Sequence, residues 1–278
     1  MKDGVPWRER MRREAEKRKV SIRKPAAPVK TRRVPDDHNP HLKRGIHPWL
    51  YEPMWENEIV CIIGGGPSLK TFDISVTKDQ HCIAVNQSYE IAPWAEVLHY
   101  ADAAWWEWNH AHILTHWPEP KLITTATSEI KGINSHKRLK RFWRDRNDFT
   151  TDKGKLHGWD SGTQAVNLAF HMGAKRIVLF GIDMQRGPKG ESQWHNKHKR
   201  KTKTENYTKF TNSLRKTVAE LEKRGVQVVR CTEPGPDFVP LVSVAEAFNR
   251  DYRLNTPQED NHADADDRTS ADAHEQRD

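Results

Sequence analysis

The sequence predicts an α/β protein built on a doubly wound, mostly parallel sheet. Three observations predict it. Short runs that are apolar from end to end and rich in β-branched residues recur through the middle of the chain. Stretches of helical periodicity separate them. The runs end on glycine, asparagine or aspartate. A strand buried on both faces reads as a continuous apolar run, and its alternation with helices marks a parallel sheet covered on both sides.

The elements follow in order. Residues 58–63 (EIVCII) form the first strand and run into glycines. Residues 82–85 (CIAV) form the second and end at Asn86. Residues 97–100 (VLHY) form the third, just before Asp102, and 121–125 (KLITT) the fourth. Residues 161–172 place Ala165, Val166, Leu168, Ala169 and Met172 at helical spacing, with Gly173 positioned to close the helix. Residues 176–180 (RIVLF) are another buried strand, followed by Gly181, Ile182 and Asp183. Residues 204–224 are a long amphipathic helix with Phe210, Leu214, Val218 and Leu221 on one face and Gly225 at its end. Residues 226–230 (VQVVR) are the last strand. Together these predict a single Rossmann-like domain over residues 46–255, with no internal repeat. Such folds bind ligands beyond the carboxyl ends of the strands. That edge carries residues 64–68, Asn86, Asp102 and 181–183, joined by the start of the helix at 161 if its preceding loop approaches the same edge.

Composition bounds the rest. Of 278 residues, 35% are hydrophobic and 30% charged, an apolar share low enough that part of the chain should not pack. Residues 1–45 carry 15 Lys+Arg against 6 Asp+Glu and five prolines, and are expected to be a disordered basic arm. Residues 256–278 carry 2 against 8 and are expected to be a disordered acidic tail. No stretch approaches the ~20 apolar residues of a membrane span, and residues 1–20 have no apolar core of a secretory signal. Cys61, Cys82 and Cys231 lie in apolar runs without CxxC partners, which suits buried, reduced thiols and a cytoplasmic setting.

The most informative segment is Gly64-Gly65-Gly66-Pro67-Ser68-Leu69-Lys70-Thr71. The dinucleotide fingerprint GxGxxG needs glycine where Leu69 stands. A P-loop would align Gly64, Lys70 and Thr71, but its second glycine also falls on Leu69, and Pro67 removes an amide from the phosphate cradle. Three glycines after a strand still allow close backbone approach to a ligand. Pro67 suits a first helical turn, and Ser68 with the free amides there can hold an anion.

The GGGPSL loop resembles the GxGPSL loop of a superfamily with three branches: bacterial sialyltransferases that use a cytidine-monophosphate sugar, motility-associated factors that modify flagellin, and archaeal 6-hydroxymethylpterin diphosphokinases. Phage and prophage genomes encode further relatives. A second block is similar too. Ser161-Gly162-Thr163 opens a helix, followed by GAKRIVLFGID at residues 173–183, and Asn86 and Asp102 match the second and third strand ends. The resemblance covers about residues 57–235. It implies that Gly64, Gly65, Gly66, Pro67, Ser68, Asn86, Ser161, Gly162 and Thr163 line a nucleotide or diphosphate site. Ser161 is expected to cap its helix, and Asn86 to read a base or ribose. Asp102 and Asp183 suit ribose hydroxyls, a substrate amine or Mg²⁺. Two departures stand out. The sialyltransferases have Asn where Gly65 stands, and carry tyrosines that help the phosphate leave, whereas residues 184–194 contain none.

Beyond Asp183, the segment GESQWHNKHKRKTK places His195 and His198 among Lys197, Lys199, Arg200, Lys201 and Lys203. One of these histidines is expected to act as general base on an acceptor hydroxyl, since an unperturbed pKa near ~6.5 suits that work. The cations would neutralise a phosphate leaving group. His-x₂-His without a third nearby ligand does not make a zinc site. Residues 131–155 form a second basic stretch, with 9 Lys+Arg against 3 Asp+Glu, expected to be an insert over the acceptor or a polyanion contact. Trp94, Trp105, Trp106, Trp108 and Trp117 read as a helix packed by its tryptophans, with sugar or base stacking as the other option. No DxD occurs in the domain, so a metal-dependent glycosyltransferase of that type is disfavoured.

Three functions remain open. The first is a nucleotide-activated group transferase, a glycosyltransferase using a nucleotide sugar with a histidine base, no required cofactor and a hydroxyl-bearing acceptor. The second is an Mg-ATP-dependent pterin-type diphosphokinase with Asp102 and Asp183 on the metal. The third is a non-catalytic phage accessory protein that binds nucleic acid through the arm and basic inserts.

Overall fold

The computed structural model describes residues 48–49, 51–119, 121–126, 138–197 and 202–251. The arm at 1–45, the tail at 256–278, residues 131–137 of the basic insert and His198 lie outside the described residues.

All six expected strands form, as β1 (Ile59–Ile63), β2 (His81–Val85), β3 (Val97–Tyr100), β4 (Leu122–Thr125), β8 (Arg176–Phe180) and β9 (Gln227–Arg230). They join β5 (Leu139–Arg141) in a seven-stranded sheet of order β5-β4-β3-β2-β1-β8-β9, parallel throughout. The chain winds outward from β1 to β5, then returns to the other side of β1 for β8 and β9. The expected doubly wound α/β sheet is what forms. The return carries a second, two-stranded parallel sheet of β6 (Trp143–Asp145) and β7 (Lys155–His157).

Both faces are covered. Val60 and Ile62 of β1, with Ile177 and Leu179 of β8, pack toward α2 (Ser161–His171) and α3 (Thr204–Lys223), including Val166, Leu168, Leu214 and Val218. The alternate residues, Cys61 and Ile63 with Val178 and Phe180, pack with Trp105, Trp106 and Ile113 of α1 (Ala103–His116) and with Ala247 of α4 (Val244–Phe248). Continuous apolarity along these strands is thus explained by two cores rather than one. Gly173 and Gly225 follow α2 and α3 with φ of 95° and 69°, the left-handed conformation that closes a helix. Trp105, Trp106 and Trp117 are core residues, as the packed-helix reading expects. Cys61 and Cys82 are buried free thiols; Cys231 is free but only half-buried, a partial correction to that expectation. No helix of the described residues is long and apolar enough to cross a membrane.

Candidate functional site

The order in which the chain adds strands reverses between β1 and β8, so the loops leaving these two parallel strands part and leave a crevice between them. The glycine loop follows β1. Its Gly64 amide donates to Phe180 O (2.7 Å) and its Gly66 amide to Gly181 O (2.8 Å), closing it against the exit of β8. A Cβ on Gly64 would lie 2.4 Å from Gly181 O, and one on Gly66 2.4 Å from the Asp183 carboxyl carbon. Side chains are sterically excluded there. A Cβ on Gly65 would meet nothing nearer than Gln193 Cγ at 4.0 Å, so this residue faces open space. Pro67 opens the 3-10 turn Pro67–Lys70, as its fixed φ suggests. Asp183, 4% exposed, accepts the Ser68 amide and hydroxyl at 2.8 and 2.6 Å. Burial pushes its carboxyl pKa up, and the two Ser68 bonds oppose that shift.

A cleft of about 380 Å³ occupies the crevice. Of the expected residues, Gly64, Gly65, Gly66, Asn86, Asp102, Ser161, Gly162 and Asp183 line it. Pro67, Ser68 and Thr163 are not on its wall; Ser68 and Thr163 instead hold Asp183 and Asp160. Asn86 sits at φ 51°, a left-handed conformation that asparagine tolerates better than most residues. The Ser161 hydroxyl donates to Asn86 Oδ1 at 3.4 Å and accepts the Ala101 amide at 3.1 Å, so β2, β3 and α2 meet at this point.

Ser161 does not cap its helix. Asp160 does, accepting the Thr163 amide at 3.0 Å and the Thr163 hydroxyl at 2.6 Å. Ser161 is the first helical residue, and the shorter reach of its hydroxyl goes to the neighbouring strand ends. Asp102 caps α1 by accepting the Ala104 amide at 2.9 Å. The Thr163 amide and hydroxyl at the α2 start and both polar hydrogens of Ser68 are therefore engaged by the chain's own carboxylates. Among the described residues no group of three His, Cys, Asp or Glu is placed to hold a metal ion. An Mg²⁺ on Asp102 and Asp183 would draw its other ligands from water and substrate phosphates, as this ion commonly does.

The loop after Asp183 is stitched to the glycine loop. The Trp194 amide donates to Gly65 O (3.0 Å) and its indole Nε1 to Ser88 Oγ (3.4 Å), while Ser88 donates to Gly64 O. Lys70 pairs with Glu191 at 2.7 Å, and Lys197 pairs with Glu90. Ser192 and Gln193 line the cleft; His195 does not. The His195 ring stands edge-on to Trp194 at 4.7 Å, and its Nδ1 accepts the Lys197 amide at 3.1 Å.

No protein-family model and no curated protein matches the chain. Solved structures do. The chain is similar to the Campylobacter jejuni sialyltransferase CstII, in complex with the substrate analogue CMP-3FNeuAc, at 18% identity and a TM-score of 0.41, covering 66% of this chain and 86% of that one. It is also similar to the monofunctional α-2,3-sialyltransferase Cst-I of Campylobacter jejuni, at 15% identity and a TM-score of 0.47, covering 72% of this chain and 90% of that one.

Several residues that line the cleft escape sequence reading: Arg144, Arg146, Trp159, Asp160, Tyr207 and Phe210. Asp160 carried a signal, since an aspartate directly before Ser-Gly-Thr and an apolar helix is a cap signature. Arg144 and Arg146 belong to the basic stretch expected near the ligand, but nothing in WRD, the sequence of β6, singles them out from its other cations. Arg144 is half-buried, and burial, with Arg146 adding to it, pulls its pKa down to about 10 against the pull of Asp160 and Asp102.

Proposed function

We propose that this chain is a nucleotide-activated group transferase, a glycosyltransferase that works from a nucleotide sugar. One observation carries the reading: the glycine loop, Asn86 and the Ser161–Gly162 helix start converge on a single cleft at the switch point of the sheet. Its volume of about 380 Å³ falls within the ~300–1,000 Å³ range of small-molecule sites. Gly65 leaves backbone open to a ligand. Asn86, held by Ser161 through its carbonyl oxygen, turns its amide to base or ribose recognition.

In the proposed reaction an acceptor hydroxyl attacks the anomeric carbon. The bond to the nucleotide phosphate breaks and its electron pair leaves on phosphate oxygen. The hydroxyl proton passes to a histidine of the 195–198 loop. For His195 to take it at Nδ1, that nitrogen must release the Lys197 amide, a single neutral hydrogen bond worth about 0.5–1.5 kcal/mol. That cost is small beside the ~10²–10⁴-fold benefit of general base catalysis.

A thermal-shift panel of nucleotides and nucleotide sugars, with and without Mg²⁺, tests the reading. Stabilisation by nucleotides or their sugars without metal is expected. Stabilisation by Mg-ATP alone would replace this reading with the diphosphokinase, and no response to any nucleotide would sink both. Retention on DNA or RNA that weakens by ~10³–10⁵ between 50 and 200 mM salt would instead favour nucleic-acid binding.

A further inference from the structure

Three cations reach one tryptophan, and two of them, Arg144 and Arg146, line the cleft with it. Arg144 donates from Nε to Gly158 O at 3.0 Å and from Nη2 to Trp159 O. The Arg146 guanidinium stands 5.2 Å from the Trp159 ring centroid, and Lys209 Nζ stands 5.5 Å from it. Trp159 itself is pinned, its amide donating to Ser213 Oγ at 3.2 Å, yet its side is 37% exposed. Attraction to the indole ring holds Arg146 and Lys209 near each other, and the two carbonyls hold Arg144 beside them. Among the described residues none of the three makes an ion pair with a carboxylate, whereas Lys70, Lys197 and Arg215 each do.

Several of the donors that the sequence offers an anion are already taken by the chain. Asp183 takes both hydrogens of Ser68, Asp160 takes the Thr163 amide, and strand-exit carbonyls take the Gly64 and Gly66 amides. On the cleft wall, Gln193 Oε1 and Tyr207 OH are buried without a partner among the described residues, a rare condition in folded chains.

We propose that Arg144 and Arg146 on the cleft wall, with Lys209 beside them on Trp159, form an oxyanion subsite that binds a phosphate or carboxylate of the ligand. The proposal deepens the transferase reading and rests on it for the identity of the ligand. Two sources share this chemistry: the phosphate of the nucleotide donor, and an acidic group on an acceptor sugar. Arg supplies paired donors that match either oxyanion. Trp159 acts as a positioning residue, since it aims the cations without supplying charge.

The test measures binding to the full chain by titration calorimetry or ligand-observed NMR, with matched probes: cytidine 5′-monophosphate against cytidine, adenosine 5′-monophosphate against adenosine, and D-glucuronate against D-glucose. In the wild-type chain the charged member of at least one pair should bind about tenfold or more tighter than its neutral partner. Arg146→Gln and Trp159→Leu should each shrink that gap to about threefold or less, with the neutral partner unchanged. A gap in a nucleotide pair places the donor phosphate here; a gap in the sugar pair places the acceptor's acid here. The proposal is overturned if no charged probe outbinds its partner, or if the gap survives in both variants. No nucleotide binding by the wild-type chain, with a glucuronate gap that both variants shrink, would sink the nucleotide reading and leave the subsite standing.

Discussion

Asp183 accepts both polar hydrogens of Ser68, the amide at 2.8 Å and the hydroxyl at 2.6 Å, across 115 residues of sequence. The pair ties the loop after β1 to the loop after β8 and so sets the floor of the cleft. Asp183→Ala leaves two buried donors without an acceptor, at a cost of about 1–3 kcal/mol each when unrelieved by water. A lower denaturation midpoint and weaker nucleotide-induced stabilisation are expected, with Asp183→Asn falling between wild type and Ala. Wild-type stability in the Ala variant would mean that the contact does not organise the loop.

The three glycines of the loop should separate cleanly. Gly64→Ala and Gly66→Ala place a methyl carbon 2.4 Å from Gly181 O and from the Asp183 carboxyl carbon. Each should cost more than about 2 kcal/mol. Gly65→Ala meets nothing nearer than Gln193 Cγ at 4.0 Å, and should change stability by under about 0.5 kcal/mol while altering ligand affinity. Equal losses from all three, measured by urea unfolding, would contradict the geometry.

Stability should fall as pH drops from about 6.5 toward 4. His99 is fully buried, bonded to Thr124 Oγ1 at 2.9 Å and Gln164 Oε1 at 3.1 Å, and burial drives its pKa down to about 4. Burial does the same to His171, also to about 4. Between the two pKa values the unfolded chain binds a proton that the folded chain refuses, so unfolding gains with acid, and the effect saturates below the folded value. A shift of this size corresponds to about 2–4 kcal/mol for His99. Melting curves across that window should steepen this way, and His99→Gln should flatten them. A slope unchanged in that variant would show that His99 is not the group that refuses the proton.

His195→Ala and His198→Ala separate the general base from its neighbour. The base variant should lose about 10²–10⁴ in turnover while nucleotide-induced stabilisation stays near wild type. Full activity in both would remove the loop from the chemistry. Loss of nucleotide stabilisation in His195→Ala would point instead to its neighbour Trp194, which bonds the glycine loop through Gly65 O.

The central strands were legible because their burial leaves a local mark. A residue facing one core or the other must be apolar, so EIVCII and RIVLF announce themselves. β5, β6 and β7 leave none. They read LKR, WRD and KLH, three residues each and mostly half-buried. Residues 64–66, Asn86, Asp102 and Asp183 follow strand ends and line the cleft, with Ser161 reaching it from the start of α2. Asp160 in place of Ser161 as cap was not foreseen, since both residue types can cap and only backbone conformation decides between them.

The sequence by itself determined the doubly wound core, the ends of α2 and α3, and the edge on which the cleft lies. Each follows from short-range pattern: apolar runs, helical spacing, and glycine where φ turns positive. Tertiary structure alone decided which polar groups remain for a ligand. Ser68 and Thr163 offer donors in the sequence, but Asp183 and Asp160 consume them in the fold. Arg144 and Arg146 are two charges in a basic stretch until the fold brings Trp159 beside them and leaves no carboxylate in ion-pairing reach among the described residues. Hydrogen-bond and charge satisfaction depends on neighbours distant in the chain, and no local pattern encodes who those neighbours are.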